Sequence, residues 1–358
     1  MNVLIPALTS ILGLVFALAL FDQWRERRGG FQLIWGIGML FYGIAAGCEA
    51  IGEALGWTDL LFRGWFAFGV ATPAWLGLGS AYLLNRTRFG YTYAAIVLFS
   101  AVLAFVVRNR YPDAGLVPVL VLFGGVIFAL AVGIETYFQN ERWPTIAAVG
   151  VTATTIVMFL LAGSLPLHLT GDTGPRTLAA TAELMPGPAR VLAFPLTIPG
   201  GLALLFGAIF STYVFMPKRR VLPYSLDPNQ RGDEFLFNLF IAPVAIAVNL
   251  IASLPGAVRA LFSGNIHSRV PATILIALGA FVPNYTDSID QWAAVGRFVG
   301  VVLLFAGFLV SIEVFREIRI PFTSITLATS RRERSEPVSS TTAAHGEATG
   351  EPAGHAVD

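Results

Sequence analysis

The chain has 358 residues, of which 55% are hydrophobic and only 13% charged, with a formal net charge of +1. Its mean hydropathy is +0.70. Soluble domains carry about 25% charged residues, so a water-soluble fold is excluded. No basic stripe with interleaved aromatics is present, which excludes nucleic acid as a partner. Cys48 is the single cysteine and lies in an apolar run, so neither an intrachain disulfide nor a thiolate metal cage can form.

A membrane-spanning helix needs about 20 mostly apolar residues. Residues 2–21 are the first such run. They lack a basic leader and a small-residue cleavage site, so they are expected to stay as a helix and not be removed as a signal peptide. Arg25, Arg27 and Arg28 follow. By the positive-inside rule these remain in the cytoplasm, which puts the amino terminus outside. Further runs occupy residues 31–56, 60–84, 91–107, 116–137, 144–169 and 193–215. The seventh stops at Pro217 and the basic cluster Lys218, Arg219 and Arg220.

Residues 235–254 are long enough to span but contain Pro243 and Asn249 and abut Pro255. If this segment lies in the interface or re-enters, most of the 23 Lys and Arg fall on the inner side; if it spans, they divide evenly. The positive-inside rule favours the first arrangement. Two more runs, 270–282 and 294–315, flank a short loop with Asp287 and Asp290. The fold class expected is therefore an all-α polytopic transmembrane bundle of about nine spans, with the carboxyl terminus cytoplasmic. Its parts are a seven-helix module (1–217), a cytoplasmic-side linker with an interfacial or re-entrant helix (218–269), two further spans (270–320) and a tail (330–358). That tail is rich in Ser, Thr, Glu, Arg, Pro and Gly, which cannot bury enough surface to offset ordering entropy. Trp24 and Trp143 are expected in an inner aromatic belt and Trp57 and Trp292 in an outer one.

Ionisable residues at lipid depth mark functional sites by default. Glu49 and Glu53 are four apart and share a face of the second helix, near its outer end. Gly36, Gly43 and Gly47 lie on another face, where Gly43 and Gly47 form a small-xxx-small pair suited to close helix contact. Arg63 enters the third helix at similar depth. Two readings follow: a structural ion pair between Arg63 and a glutamate across a tight hairpin, or a shallow, outward-facing ligand site. His168 closes the sixth helix as a half-wet interfacial residue and a candidate contact; it lacks the partners a haem or zinc site needs. No catalytic residue, cofactor or metal is expected, since P-loop, HExxH and G-x-S-x-G motifs are absent. Pro195, Pro199, Gly200 and Gly201 would loosen the seventh helix, as broken helices do around transporter sites.

Trp35, Tyr42 and Glu49 on the outward leg, Arg63 and Trp65 after the turn, and Pro73 and Trp75 midway back form a recognisable layout. With seven spans, an external amino terminus and a basic exit at Lys218–Arg220, residues 1–217 resemble the seven-helix membrane sensor module at the front of some bacterial sensor histidine kinases. That resemblance implies a plasma (inner) membrane location and a signal passed inward. The chain departs from the family in having no kinase or cyclase output domain. Its expected role is thus a non-enzymatic, sensor-like or scaffold-like membrane protein, with a small-solute transporter or channel as the alternative. The lipid bilayer, a cytoplasmic protein docking on residues 221–269 or the tail, and a second copy of the chain are the partners such a protein would use.

Overall fold

A computed structural model describes residues 3–138, 141–167, 184–215, 221–223, 232–262, 269–286, 292–310, 317–319 and 326–329. Ten helices follow in order: α1 (Leu4–Arg27), α2 (Gly30–Leu55), α3 (Asp59–Leu83), α4 (Phe89–Val106), α5 (Val117–Tyr137), α6 (Trp143–Ser164), α7 (Gly187–Phe215), α8 (Gly232–Phe262), α9 (Arg269–Thr286) and α10 (Ala293–Val310). A short antiparallel ribbon pairs β1 (Glu317–Arg319) with β2 (Thr326–Thr329). The tail from residue 330 and the loop carrying Asp287, Ser288, Asp290 and Gln291 lie outside the described residues.

Eight of these helices are long and apolar enough to cross a membrane, where the sequence suggested nine. The difference is α9, whose apolar stretch, Pro271–Pro283, is short. The sixth helix also ends earlier than expected. Pro166 pushes the residue before it towards extended backbone, and Leu165 adopts φ −71° and ψ 144°.

Several helices carry one apolar stripe that no described residue covers. On α5 it is Leu120, Phe123, Ile127, Leu130 and Ile134, each more than half exposed. Their alternating spacing of three and four marks a single helical face. Left in water, so much contiguous apolar surface would drive aggregation; lipid is the solvent that suits it.

Helix α3 is the most enclosed of the eight, packed between α2, α6 and α7. It meets α7 at a glycine crossing. A Cβ on Gly200 would fall 2.2 Å from the Pro73 carbonyl carbon, and one on Gly77 would fall 2.3 Å from the Gly200 carbonyl oxygen. Pro195 and Pro199 do not break α7, which is one continuous helix; the contact with α3 is what this small, irregular stretch makes room for. On α2, Gly43 faces α1, and its carbonyl accepts the Ser10 hydroxyl at 2.8 Å. Trp143, the first residue of α6, turns into the bundle: it is 1% exposed, lies 5.8 Å from the Tyr93 ring in a tilted arrangement and donates to the Asn85 carbonyl at 3.2 Å.

The last two spans-like helices form a tight hairpin that docks on the rest. Phe305 and Phe308 of α10 pack on Phe16 of α1, with ring centroids 4.7 and 5.1 Å apart. The hydroxyls of Thr212 near the end of α7 and Thr273 near the start of α9 are 2.7 Å apart. The chain between them, which includes α8, therefore leaves and re-enters the bundle at the same end. Helix α8 runs unbroken through Pro243 and Pro255. Asn249 ties it to the preceding linker, accepting from the Val221 and Leu222 amides at 2.7 and 2.9 Å and donating to the Leu222 carbonyl at 2.8 Å.

Candidate functional site

The turn between α2 and α3 sets the surroundings of Glu53. Gly56 takes φ +96°, a left-handed region that costs glycine little. Thr58 then caps α3 by accepting the Leu61 amide at 3.3 Å. The turn folds Trp57 over Gly52, where a Cβ would lie 2.6 Å from the indole. From there Trp57 donates to Glu53 at 3.2 Å and meets Trp65 edge-on, with centroids 6.1 Å apart.

Glu49 does not pair with Arg63. Its Oε1 lies 2.6 Å from Nη2 of Arg297, the fifth residue of α10, and its Oε2 accepts a long bond of 3.4 Å from the Trp65 indole. The two charged side chains are only 10% and 17% exposed. Arg297 is held from the other side as well, because Tyr42 donates its hydroxyl to the Arg297 carbonyl at 2.7 Å. Helix α2 thus grips α10 at two points, although 248 residues separate the ion-paired partners.

Arg63 turns the opposite way, towards α6, where its guanidinium donates to the Ala162 carbonyl. That carbonyl is among the last four of α6, which have no intrahelical donor and sit at the negative end of the helix dipole. The expected hairpin ion pair is therefore replaced by two contacts, one on each side of α3. His168 lies outside the described residues. Among the described residues, no group of three or more His, Cys, Asp or Glu side chains converges as a metal site would require.

Behind the Glu49–Arg297 pair lies a cavity of about 170 Å³, room for on the order of ten waters. It opens between the front helices and the α9–α10 hairpin, with walls from α1, α2, α3, α7, α9 and α10. Along α3 it reaches from Trp65 to Leu76, about 16 Å at the helical rise. Among its lining residues Glu49 and Arg297 are the two that carry charge. Thr9, Thr72 and Thr197 supply hydroxyls, while Leu76, Leu204 and Leu304 supply apolar wall. Two lining prolines, Pro73 and Pro283, lack the N–H that would bond the carbonyls of Gly69 and Gly279, which line the cavity too.

The signals that sequence reasoning passed over were present. Arg297 is an arginine inside an otherwise apolar helix, Thr72 and Thr197 are single hydroxyls in apolar runs, and Thr9 stands beside Ser10 in another. Nothing local says that they meet.

A mainly helical chain with eight helices of this length and apolarity, packed around a largely apolar cavity that holds one ion pair, has the make-up of a multi-pass integral membrane protein. No protein-family model, curated protein or solved structure matches it.

Proposed function

We propose that this chain is a non-enzymatic, sensor-like membrane protein whose internal cavity receives a small solute from the outer side. The observation that carries the reading is the Glu49–Arg297 contact, which joins the front helices to the α9–α10 hairpin at one mouth of the cavity. A solute entering there alters how the hairpin sits on the bundle. The hairpin continues to the end where α7 stops and α9 begins, the end the basic residues assign to the cytoplasm. There α8 offers a face of Val244, Ile251 and Leu254 that no described residue covers, suited to lying in the membrane interface beside a cytoplasmic partner. The loose likeness of residues 1–217 to kinase-linked sensor modules fits the same role.

A small-solute transporter is the second reading, favoured by the depth of the cavity along α3 and by its proline-bearing walls. Cysteine labelling in sealed vesicles separates the two. With Cys48 replaced by Ser, cysteines at Ala46, Thr72 and Ala280 should react with a membrane-impermeant thiol reagent from one face only. Reaction from both faces supports transport instead, and no reaction from either face overturns the solute-receiving cavity.

A further inference from the structure

We infer that three arginines where α4, α5 and α7 meet, Arg108, Arg110 and Arg190, hold the headgroup of an anionic phospholipid whose acyl chains lie on α4 and α5. This goes beyond the cavity reading and does not rest on it.

The fold gathers these arginines. The chain from α4 to α5 makes two 3₁₀ turns, Val107–Arg110 and Pro112–Ala114. Ala114 shares a small core with Val191 of α7 and Ala101 and Ala104 of α4. Asp113 accepts the Gly187 amide at 2.6 Å, which fixes the start of α7 against the same turns. Arg190 is thereby laid over Tyr111, its guanidinium carbon 4.8 Å from the ring centroid. Tyr111 directly follows Arg110, and its amide donates to the Arg108 carbonyl at 2.9 Å. With a rise of about 2 Å per residue in a 3₁₀ turn, Arg108 and Arg110 start about 4 Å apart along its axis. The three cations therefore belong to one patch.

Little of its charge is compensated. Arg108 and Arg110 are exposed; Arg108 lies over the Phe105 ring at 4.2 Å and donates to the carbonyl of that residue at 3.1 Å. Among the described residues none of the three arginines makes an ion pair. The Nε of Arg190 is buried there without a hydrogen-bond partner. Asp113 offsets one charge of the three. By the positive-inside rule this end of the bundle faces outward, where arginines are scarce, and the planar guanidinium fork matches a phosphate.

What lies beside the patch identifies the anion as a lipid. Val106, Leu116 and Leu120 are 61%, 74% and 66% exposed. A Cβ on Gly125 would fall 2.3 Å from the Ala101 side chain, and this antiparallel register sets Val106 level with Leu120. Gly124 beside them is exposed and has open space at its Cβ position, a notch in the lipid-facing surface. A phospholipid offers a phosphate and then an acyl chain in the same order. A soluble anion would leave the apolar surface unused.

Native mass spectrometry of the full chain in detergent tests this, with phosphatidylglycerol and phosphatidylcholine of identical acyl chains as probes. One basic residue beside an anionic headgroup strengthens attraction about fivefold. The first phosphatidylglycerol should bind at least tenfold more tightly than the first phosphatidylcholine, and excess glycerol 3-phosphate should not displace it. Arg108→Gln, Arg110→Gln and Arg190→Gln together should weaken phosphatidylglycerol at least tenfold and leave phosphatidylcholine unchanged. Arg110→Gln alone should lose about fivefold; that exposed side chain has no described contact to disturb, so it serves if the triple variant fails to fold. Arg86→Gln, at the other end of the bundle, should leave the tightest site intact. Equal binding of the two lipids, unchanged affinity in Arg110→Gln, or an equal loss in Arg86→Gln overturns the site. Displacement by glycerol 3-phosphate overturns the lipid and makes the patch a soluble-anion site.

Discussion

Replacing Arg297 and Arg63 separately by alanine gives opposite rankings under the two pairings of Glu49. In Arg297→Ala the carboxylate of Glu49 loses the cation 2.6 Å away, in a site where both side chains are more than four-fifths buried. Breaking a buried pair by removing one partner costs about 3–5 kcal/mol, because the remaining charge loses its counter-ion where little water can take its place. In Arg63→Ala the group left behind is an uncharged carbonyl on the last turn of α6. Losing a charge-assisted bond there costs about 1.5 kcal/mol, the low end of the range. The gap of about 2 kcal/mol corresponds to about a 30-fold difference in the folded-to-unfolded ratio. Equilibrium unfolding of each full-length variant in mixed micelles, followed by tryptophan fluorescence, measures it. If Arg63→Ala proves as costly as Arg297→Ala or more so, Glu49 is paired with Arg63 and the site described here is wrong.

Three other expectations follow from local contacts. Gly200→Ala should cost several kcal/mol and lower the yield of folded protein, since its Cβ would meet the α3 backbone at 2.2 Å; Gly163→Ala, with open space around its Cβ, should be neutral or gain up to about 1 kcal/mol in helix propensity, and equal effects in a thermal melt would contradict the crossing. Asp113→Ala removes the carboxylate that accepts the Gly187 amide at 2.6 Å at the start of α7, and the loss should be about 1 kcal/mol, in the range for N-terminal caps; a gain in stability would refute the cap. Asn249→Ala should speed amide hydrogen exchange at Val221 and Leu222, the two N–H groups its side chain accepts, and unchanged exchange there would mean that α8 does not hold the linker.

Helix positions were legible in the sequence because a membrane imposes a length and a composition on every span. The expected limits of 31–56 and 60–84 differ from α2 and α3 by a single residue at each end. That Gly43 sits at a close helix contact was readable too, since close helix approach in lipid favours small residues; that the partner is α1 came only with the structure. The partner of Glu49 was not readable. Proximity in sequence pointed to Arg63 across the α2–α3 turn, but the two residues leave that turn on different helical faces, and which face meets which helix is decided by packing. Arg297 resembled a charge at a loop boundary because it lies only four residues into α10. Its direction depends on the α9–α10 hairpin docking against α1 and α7, a long-range contact with no local signature. The cavity was hidden in the same way, since its threonines are scattered over α1, α3 and α7.

Reversing the charges of Glu49 and Arg297 tests the central contact most directly. Glu49→Arg alone and Arg297→Glu alone each place like charges together and should abolish the folded, monodisperse protein by size-exclusion chromatography in detergent. Combining the two substitutions should restore most of it, because the pair is re-formed with its ends exchanged. A double variant as poorly folded as the worse of the two single variants would mean that α2 and α10 do not meet through these side chains.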